Sequence, residues 1–149
     1  MRRLVLLSLA LLACGLNAQA ARGKVLKVLP HLLDQQGRHT LHPSLYERDA
    51  YQDHLRQHRE KCGGLRFDIH WKADKVAFPG LKLRLEARGS KAPRPVVLEA
   101  GLERRPWYKR WTSLKLEGQT FQELGDLVAW RATLWEGATL VAEQKSFLW

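Results

Sequence analysis

Between residues 104 and 111, four cations are interleaved with three aromatics: Arg104, Arg105, Trp107, Tyr108, Lys109, Arg110 and Trp111. Cations neutralise acidic groups, and aromatic faces stack on sugars or bases, so the run has the composition of a binding surface for an anionic ligand. It lies between two strand patterns, and loops held on a rigid scaffold carry binding residues more often than strands do. The alternative is structural: Trp107 or Trp111 packs into the fold and the arginines form a solvated rim.

A second set is His54, His58 and Cys62, spaced i, i+4, i+8 on a helical pattern. Imidazoles one turn apart can chelate a divalent metal, and a thiolate a further turn on could be a third ligand. His39 and His42 lie just upstream. No second cysteine pair or carboxylate-rich motif supports a metal centre. Tyr51 and Leu55 would bury the same face, so the competing reading has His54 and His58 flanking a helix–sheet contact. No cofactor is expected.

For catalysis the sequence offers little. Asp68 and His70 are two apart on one strand's polar face and can approach each other. Ser44, Ser90, Ser113 and Ser146 lack the Gly-x-Ser-x-Gly context of a nucleophile elbow. There is no Gly-rich phosphate loop and no His-Glu-x-x-His zinc motif. The expectation is a protein that is not an enzyme.

The N-terminus bears on where any such surface would work. Met1-Arg2-Arg3 is cationic, residues 4–13 form an apolar run, and Ala18-Gln19-Ala20 is a small-x-small cleavage site. That order is the pattern of a secretory signal peptide, here residues 1–20, leaving 21–149 as a single domain. The apolar run is too short to span a hydrocarbon core of ~30 Å as a helix. Leu11-Leu12-Ala13-Cys14 also reads as a lipobox, in which Cys14 would be acylated and hold the protein at a membrane surface. Arg2-Arg3 lacks the flanking residues of a twin-arginine signal. Export to the periplasm or outside the cell is expected, with membrane attachment only through Cys14.

Composition agrees with export but does not name a ligand. The chain has 25 Lys+Arg against 15 Asp+Glu, a net charge of +10, and a leader with two arginines and no acid removes little of it. Such a surface favours acidic polysaccharide, anionic headgroups or nucleic acid, although basic charge also serves solubility alone. Of the two cysteines only Cys62 lies outside the leader. After cleavage no intramolecular disulfide can form, and Cys62 is either a buried apolar thiol or an exposed one able to pair between chains.

The elements that must position these residues follow from periodicity. Residues 24–34 are an apolar, β-rich run interrupted by Pro30, which predicts an edge strand or one broken in two. Ser44 to Glu47 and Asp49 to Gln52 have capping-box spacing. From Asp49 the residues Tyr51, His54, Leu55, His58 and Cys62 share a helical face, with Gly63-Gly64 as the stop. Alternation then marks strands around 65–72, 81–88, 95–102, 111–117, 128–134 and 139–149. A single helical turn is expected at 119–124 and a hairpin at Glu136-Gly137. Phe67, Trp71, Leu83, Leu85, Trp130 and Leu134 are the expected core. About seven short antiparallel strands, with one helix between the first two, predict an all-β two-sheet antiparallel sandwich; a barrel is the competing architecture.

The segments LRFDIHWKA, LKLRLEARG, LVAWRATLWEG and TLVAEQKSFLW resemble the B, C, F and G strands of an immunoglobulin- or fibronectin-III-like domain. The chain also resembles exported bacterial proteins with the same DAYQ helix region and closing EQKSFLW strand. The resemblance implies a fold and no activity, and the paired B and F cysteines of antibody domains are absent. The resulting expectation is an exported, non-catalytic binding or structural module of the bacterial envelope. Its partner would be an anionic envelope component or another envelope protein, contacted through the basic aromatic loop, with no specific nucleic acid. The alternatives are a lipoprotein module anchored at Cys14 and a metal-binding protein using His54, His58 and Cys62.

Overall fold

Alternating apolar and polar residues give strands with one wet and one dry face, and two such sheets hide their dry faces by packing together. The computed structural model describes residues 23–74, 76, 79–106 and 110–149. Its strands are β1 (Gly23–Asp34), β2 (Cys62–Ala73), β3 (Leu81–Gly89), β4 (Val96–Gly101), β5 (Trp111–Glu117), β6 (Leu127–Glu136) and β7 (Thr139–Lys145). A helix, α1 (Leu45–Gln57), and a 3₁₀ turn, Arg59–Lys61, follow β1; a second helix, α2 (Gly118–Leu124), follows β5. The strands form a three-stranded sheet, β1-β2-β5, and a four-stranded sheet, β4-β3-β6-β7, with every pairing antiparallel. The architecture is β-sandwich-like, with two sheets rather than one closed barrel.

The core is the set that period two selects. Phe67, Ile69 and Trp71 of β2 meet Leu81, Leu83 and Leu85 of β3 and Ala132 and Leu134 of β6 in one cluster, all essentially inaccessible. Thr112, on the inward row of β5, accepts a hydrogen bond from Trp71 Nε1 at 3.0 Å and so satisfies the one polar atom that ring carries inward. Trp130 is only partly buried against the cluster. The row Val128-Trp130 slips where β6 meets the end of β3: a bulge between Arg88 and Gly89 leaves Val128 exposed and buries Ala129 instead.

Pro30 does not break β1. The strand runs through it, opposite Phe67, and its irregularities fall at Val25/Lys27 and Leu33/Asp34. Because β1 pairs only with β2 in its sheet, proline sits on an edge strand, where a missing N–H is tolerated.

The helix opens at the expected Ser44 cap position but ends earlier than its sequence pattern suggests. It begins at Leu45 and stops at Gln57, with His58 as its C-cap, and Cys62 opens β2. Gly63 and Gly64 belong to β2 rather than to a helix terminus. A Cβ on Gly63 would lie 2.8 Å from the Asp34 carbonyl oxygen, and one on Gly64 2.8 Å from that of Leu116. These glycines let β1 and β5 approach β2 closely, which is a sheet requirement that helical spacing cannot reveal. Neither capping box forms: Ser44 holds the N-cap position without a side-chain hydrogen bond, and Asp49 lies inside the helix. The predicted single turn at 119–124 is the seven-residue α2.

Candidate functional site

On β2 the even-numbered residues Arg66, Asp68, His70 and Lys72 point away from the core, and the register shows what stands beside them. Lys27, His70 and Trp111 face one another across β1, β2 and β5, while Lys24 lies directly opposite Lys72. Directly opposed side chains in an antiparallel pair have Cβ atoms ~4.5–5.5 Å apart. The rings of His70 and Trp111 stack, with centroids 4.7 Å apart and planes 6° from parallel, and Trp111 stays 37% exposed. Lys24, Lys27 and Lys72 are exposed, and none has an ion-pair partner among the described residues. The result is an aromatic platform with three unneutralised cations beside it.

The outer face of the other sheet is built on the opposite principle. Arg131 lies 2.6 Å from Glu86 and 3.8 Å from Glu143, Arg84 3.4 Å from Glu86 and 3.6 Å from Glu99, and Lys82 3.2 Å from Glu99. Three cations there are matched by acids within and across the strands, although Arg131 also stands opposite Lys145. Glu86 is buried beneath Arg84 and Arg131, while the more exposed pairs on Glu99 and Glu143 contribute little stability each. The three-stranded sheet has such pairs too, Arg66 with Asp68 and Lys115 with Glu117, but Lys24, Lys27 and Lys72 stand outside them.

The basic aromatic loop runs directly into this platform at Trp111. Trp107, Tyr108 and Lys109 lie outside the described residues. Arg110 has a structural role: its guanidinium donates to the Ala73 carbonyl at 3.2 Å and the Arg105 carbonyl at 3.0 Å. It also lies 3.8 Å from Asp74 and 5.8 Å from the centre of the Trp71 ring. Arg105 is 3.6 Å from Glu103, and Arg104 is partnered as well. Local motifs do not single out the lysines of β1 and β2. Alternation puts Lys72 and His70 on a wet face, but only the pairing register brings them to Lys24, Lys27 and Trp111.

The helical set is split. His54 and His58 stay together, ring centroids 4.4 Å apart, with Lys61 Nζ 3.1 Å from His54 Nε2 and Glu60 3.2 Å from His58 Nδ1. Cys62 turns the other way and donates its thiol hydrogen to the Leu55 carbonyl at 3.3 Å. Burial pushes that thiol up from its ordinary pKa, beyond what nearby Arg59 offsets. Among the described residues no three His, Cys, Asp or Glu side chains are placed to hold a metal ion. Cys14 lies outside the described residues.

Asp68 and His70, adjacent on one face, have different partners. Asp68 is surrounded by Arg66 at 2.8 Å, Ser113, whose hydroxyl donates to it, and His31 at 3.4 Å. Burial alone would raise the Asp68 pKa, but these donors outweigh it and hold the carboxyl well below the usual carboxylate range. Ser113 thus donates its proton toward a carboxylate whose lowered pKa makes it a weak base, poorly matched to activating a hydroxyl near neutral pH.

The chain matches no protein-family model, no curated protein and no solved structure. Among the described residues no helix is long and apolar enough to cross a membrane.

Proposed function

We propose that this protein is an exported, non-catalytic binding module of immunoglobulin/fibronectin-III-like type. Its ligand is an acidic glycan, held on the outer face of the three-stranded sheet and the adjoining 104–110 loop. The observation that carries the reading is the juxtaposition of Lys24 with Lys72, and of Lys27 with the His70–Trp111 stack. Like charges directly opposite each other destabilise a sheet. On the four-stranded sheet Lys82, Arg84 and Arg131 are each paired with acids. On the three-stranded face both members of the Lys24–Lys72 pair lack an acidic partner, whereas Arg131, which stands opposite Lys145 on the other sheet, is neutralised by Glu86 and Glu143. Unneutralised cations beside an aromatic ring are what an anionic ligand needs. Trp111 offers a surface on which a sugar ring can lie, and the lysines neutralise its acidic groups.

The fold type is supported by strand order. In immunoglobulin-like sandwiches, strands B and E share one sheet and C, F and G the other, with C′, where present, on the second. Here β2 and β5 share a sheet with β1, and β4, β3, β6 and β7 form the other, which matches A-B-E and C′-C-F-G. The segments resembling B, C, F and G are β2, β3, β6 and β7.

The test is binding to polygalacturonate by the parent and by the Lys24→Gln/Lys27→Gln/Lys72→Gln variant. The variant should bind about tenfold more weakly at low salt, with the difference shrinking as salt screens the exposed charges. Equal binding by the two proteins would refute the site. Attachment to phosphatidylglycerol vesicles with no binding to the glycan would move the ligand class to lipid headgroups. The export part has its own test: the intact mass of the secreted protein should correspond to a chain starting at Ala21, and a diacyl or triacyl mass on Cys14 would overturn that.

A further inference from the structure

Under the C-terminal half of α1 the seam between the two sheets is open. Pro30 and Leu32 of β1, Leu65 of β2 and Leu127 of β6 line a groove of about 450 Å³. This lies within the ~300–1,000 Å³ range of small-molecule sites. Four apolar side chains lining one slot leave hydrocarbon surface that an apolar chain would cover favourably.

The rim of the groove is charged. Arg56, Arg59, Gln52 and Asp126 complete the lining. The Gln52 amide is already used, accepting from the Leu32 N–H and donating to the Leu32 and His39 carbonyls. Arg59 and Asp126 neutralise each other at 3.0 Å, and Arg59 also donates to the Gly125 carbonyl at 3.3 Å. Arg56 is exposed and has no partner among the described residues. Two cations and one acid leave a single positive charge at the mouth of an apolar slot. That combination matches one negative head on one hydrocarbon chain. The C-terminal position of Arg56 on α1 also suits the helix dipole, but the dipole places no apolar slot beneath it.

We propose that this groove binds a single-chain anionic amphiphile, its hydrocarbon chain along Pro30, Leu32, Leu65 and Leu127 and its head group on Arg56. The guanidinium forms two-pronged hydrogen bonds with carboxylate and phosphate alike, so the shared chemistry is an oxyanion on an alkyl chain. The site is separate from the lysine face, and the inference does not rest on the glycan reading.

The experiment is calorimetric titration of the purified protein with dodecanoate, dodecyl phosphate and dodecanol, each below its aggregation concentration. Saturable one-to-one binding is expected for both anions, with dodecanol weaker. Relative strength of dodecanoate and dodecyl phosphate distinguishes a fatty-acid source from a phosphate-bearing one. Arg56→Gln should weaken dodecanoate by about tenfold and leave dodecanol unchanged. Leu127→Trp, which fills the slot at a partly exposed position, should weaken all three. Lys24→Gln/Lys27→Gln/Lys72→Gln should bind dodecanoate as the parent does. No saturable binding, an Arg56→Gln variant indistinguishable from the parent, or a loss of binding in the lysine variant would each overturn the proposal.

Discussion

Gln52 of α1 stands in for a strand beside Leu32. Its side-chain oxygen accepts the Leu32 N–H at 2.8 Å, and its nitrogen donates to the Leu32 carbonyl at 2.9 Å and the His39 carbonyl at 2.8 Å. One amide thereby closes an edge of the three-stranded sheet and ties the helix and the 38–44 segment to it. An uncovered edge exposes a row of backbone groups ready to pair with another chain.

Truncation of that amide is therefore costly for a residue on a surface helix. Gln52→Ala should destabilise by about 2 kcal/mol, because it strands buried backbone groups at Leu32. Gln52→Glu should do no better at neutral pH despite its shape, since its carboxylate would face the Leu32 and His39 carbonyls. Denaturant unfolding measures both, and amide exchange at Leu32 should accelerate in parallel. A loss under about half a kcal/mol would show that water replaces the amide without penalty.

Asp34 makes stability depend on pH. It is 5% exposed and accepts hydrogen bonds from the Gln36 and Arg38 N–H groups, the Arg38 guanidinium and the Tyr51 hydroxyl. Burial works to raise its pKa, but these donors prevail and lower it from 3.8 to about 2. A carboxylate whose pKa is lower when folded stabilises the fold fully above its unfolded value. That contribution is lost as pH falls through the folded one. Stability should drop by ~1–2 kcal/mol between about pH 4 and pH 2 from this residue. Asp34→Asn should remove that part of the acid dependence and should already be destabilised at neutral pH; an unchanged acid profile would show that the carboxylate is not the linked group.

What the sequence made legible was local. Alternation identified the strands and most of the core, because a half-buried strand writes its burial at every second residue: Leu81, Leu83 and Leu85 follow the rule. The helix end is ambiguous in sequence because Cys62, Gly63 and Gly64 satisfy a helical face and a helix stop equally well; the glycines' actual reason is close approach to Asp34 and Leu116, far away in the chain. The candidate face is half legible for the same reason. Trp111 and His70 each announce a polar or aromatic side chain on a strand, but their stacking and the lysines beside them depend on which strands pair, a non-local choice.

Gly89 marks another such approach and can be tested alone. A Cβ there would run into the carbonyl oxygen of Leu124 and lie 2.7 Å from its carbonyl carbon. That is backbone at the end of α2, which cannot swing aside as a long side chain would. Gly89→Ala should cost at least ~1–3 kcal/mol, the range for forcing atoms into packed space. Gly101→Ala is the control, since a Cβ at that position would meet nothing within 4 Å, and it should be close to neutral. Equal stability of the two variants would mean that α2 moves freely relative to β3.

Arg110 and Trp111, neighbours in sequence, should separate stability from binding. The Arg110 side chain is 19% exposed and is held by the Ala73 and Arg105 carbonyls and by Asp74, so it ties Arg105 and itself to the end of β2. Arg110→Gln should lower stability by ~1–2 kcal/mol through those lost contacts. Its glycan affinity, measured well below the melting temperature, should change little beyond the removal of one screened charge. Trp111→Ala should do the reverse. The ring rests on His70 and is not part of the core, so the melting temperature should hardly move, while binding to polygalacturonate weakens by ~1–3 kcal/mol, a stacking loss. That loss should persist at high salt, where the contribution of Lys24, Lys27 and Lys72 fades. A Trp111→Ala variant that melts earlier and binds as the parent does would make the aromatic platform a packing feature and leave the lysines alone to account for any binding.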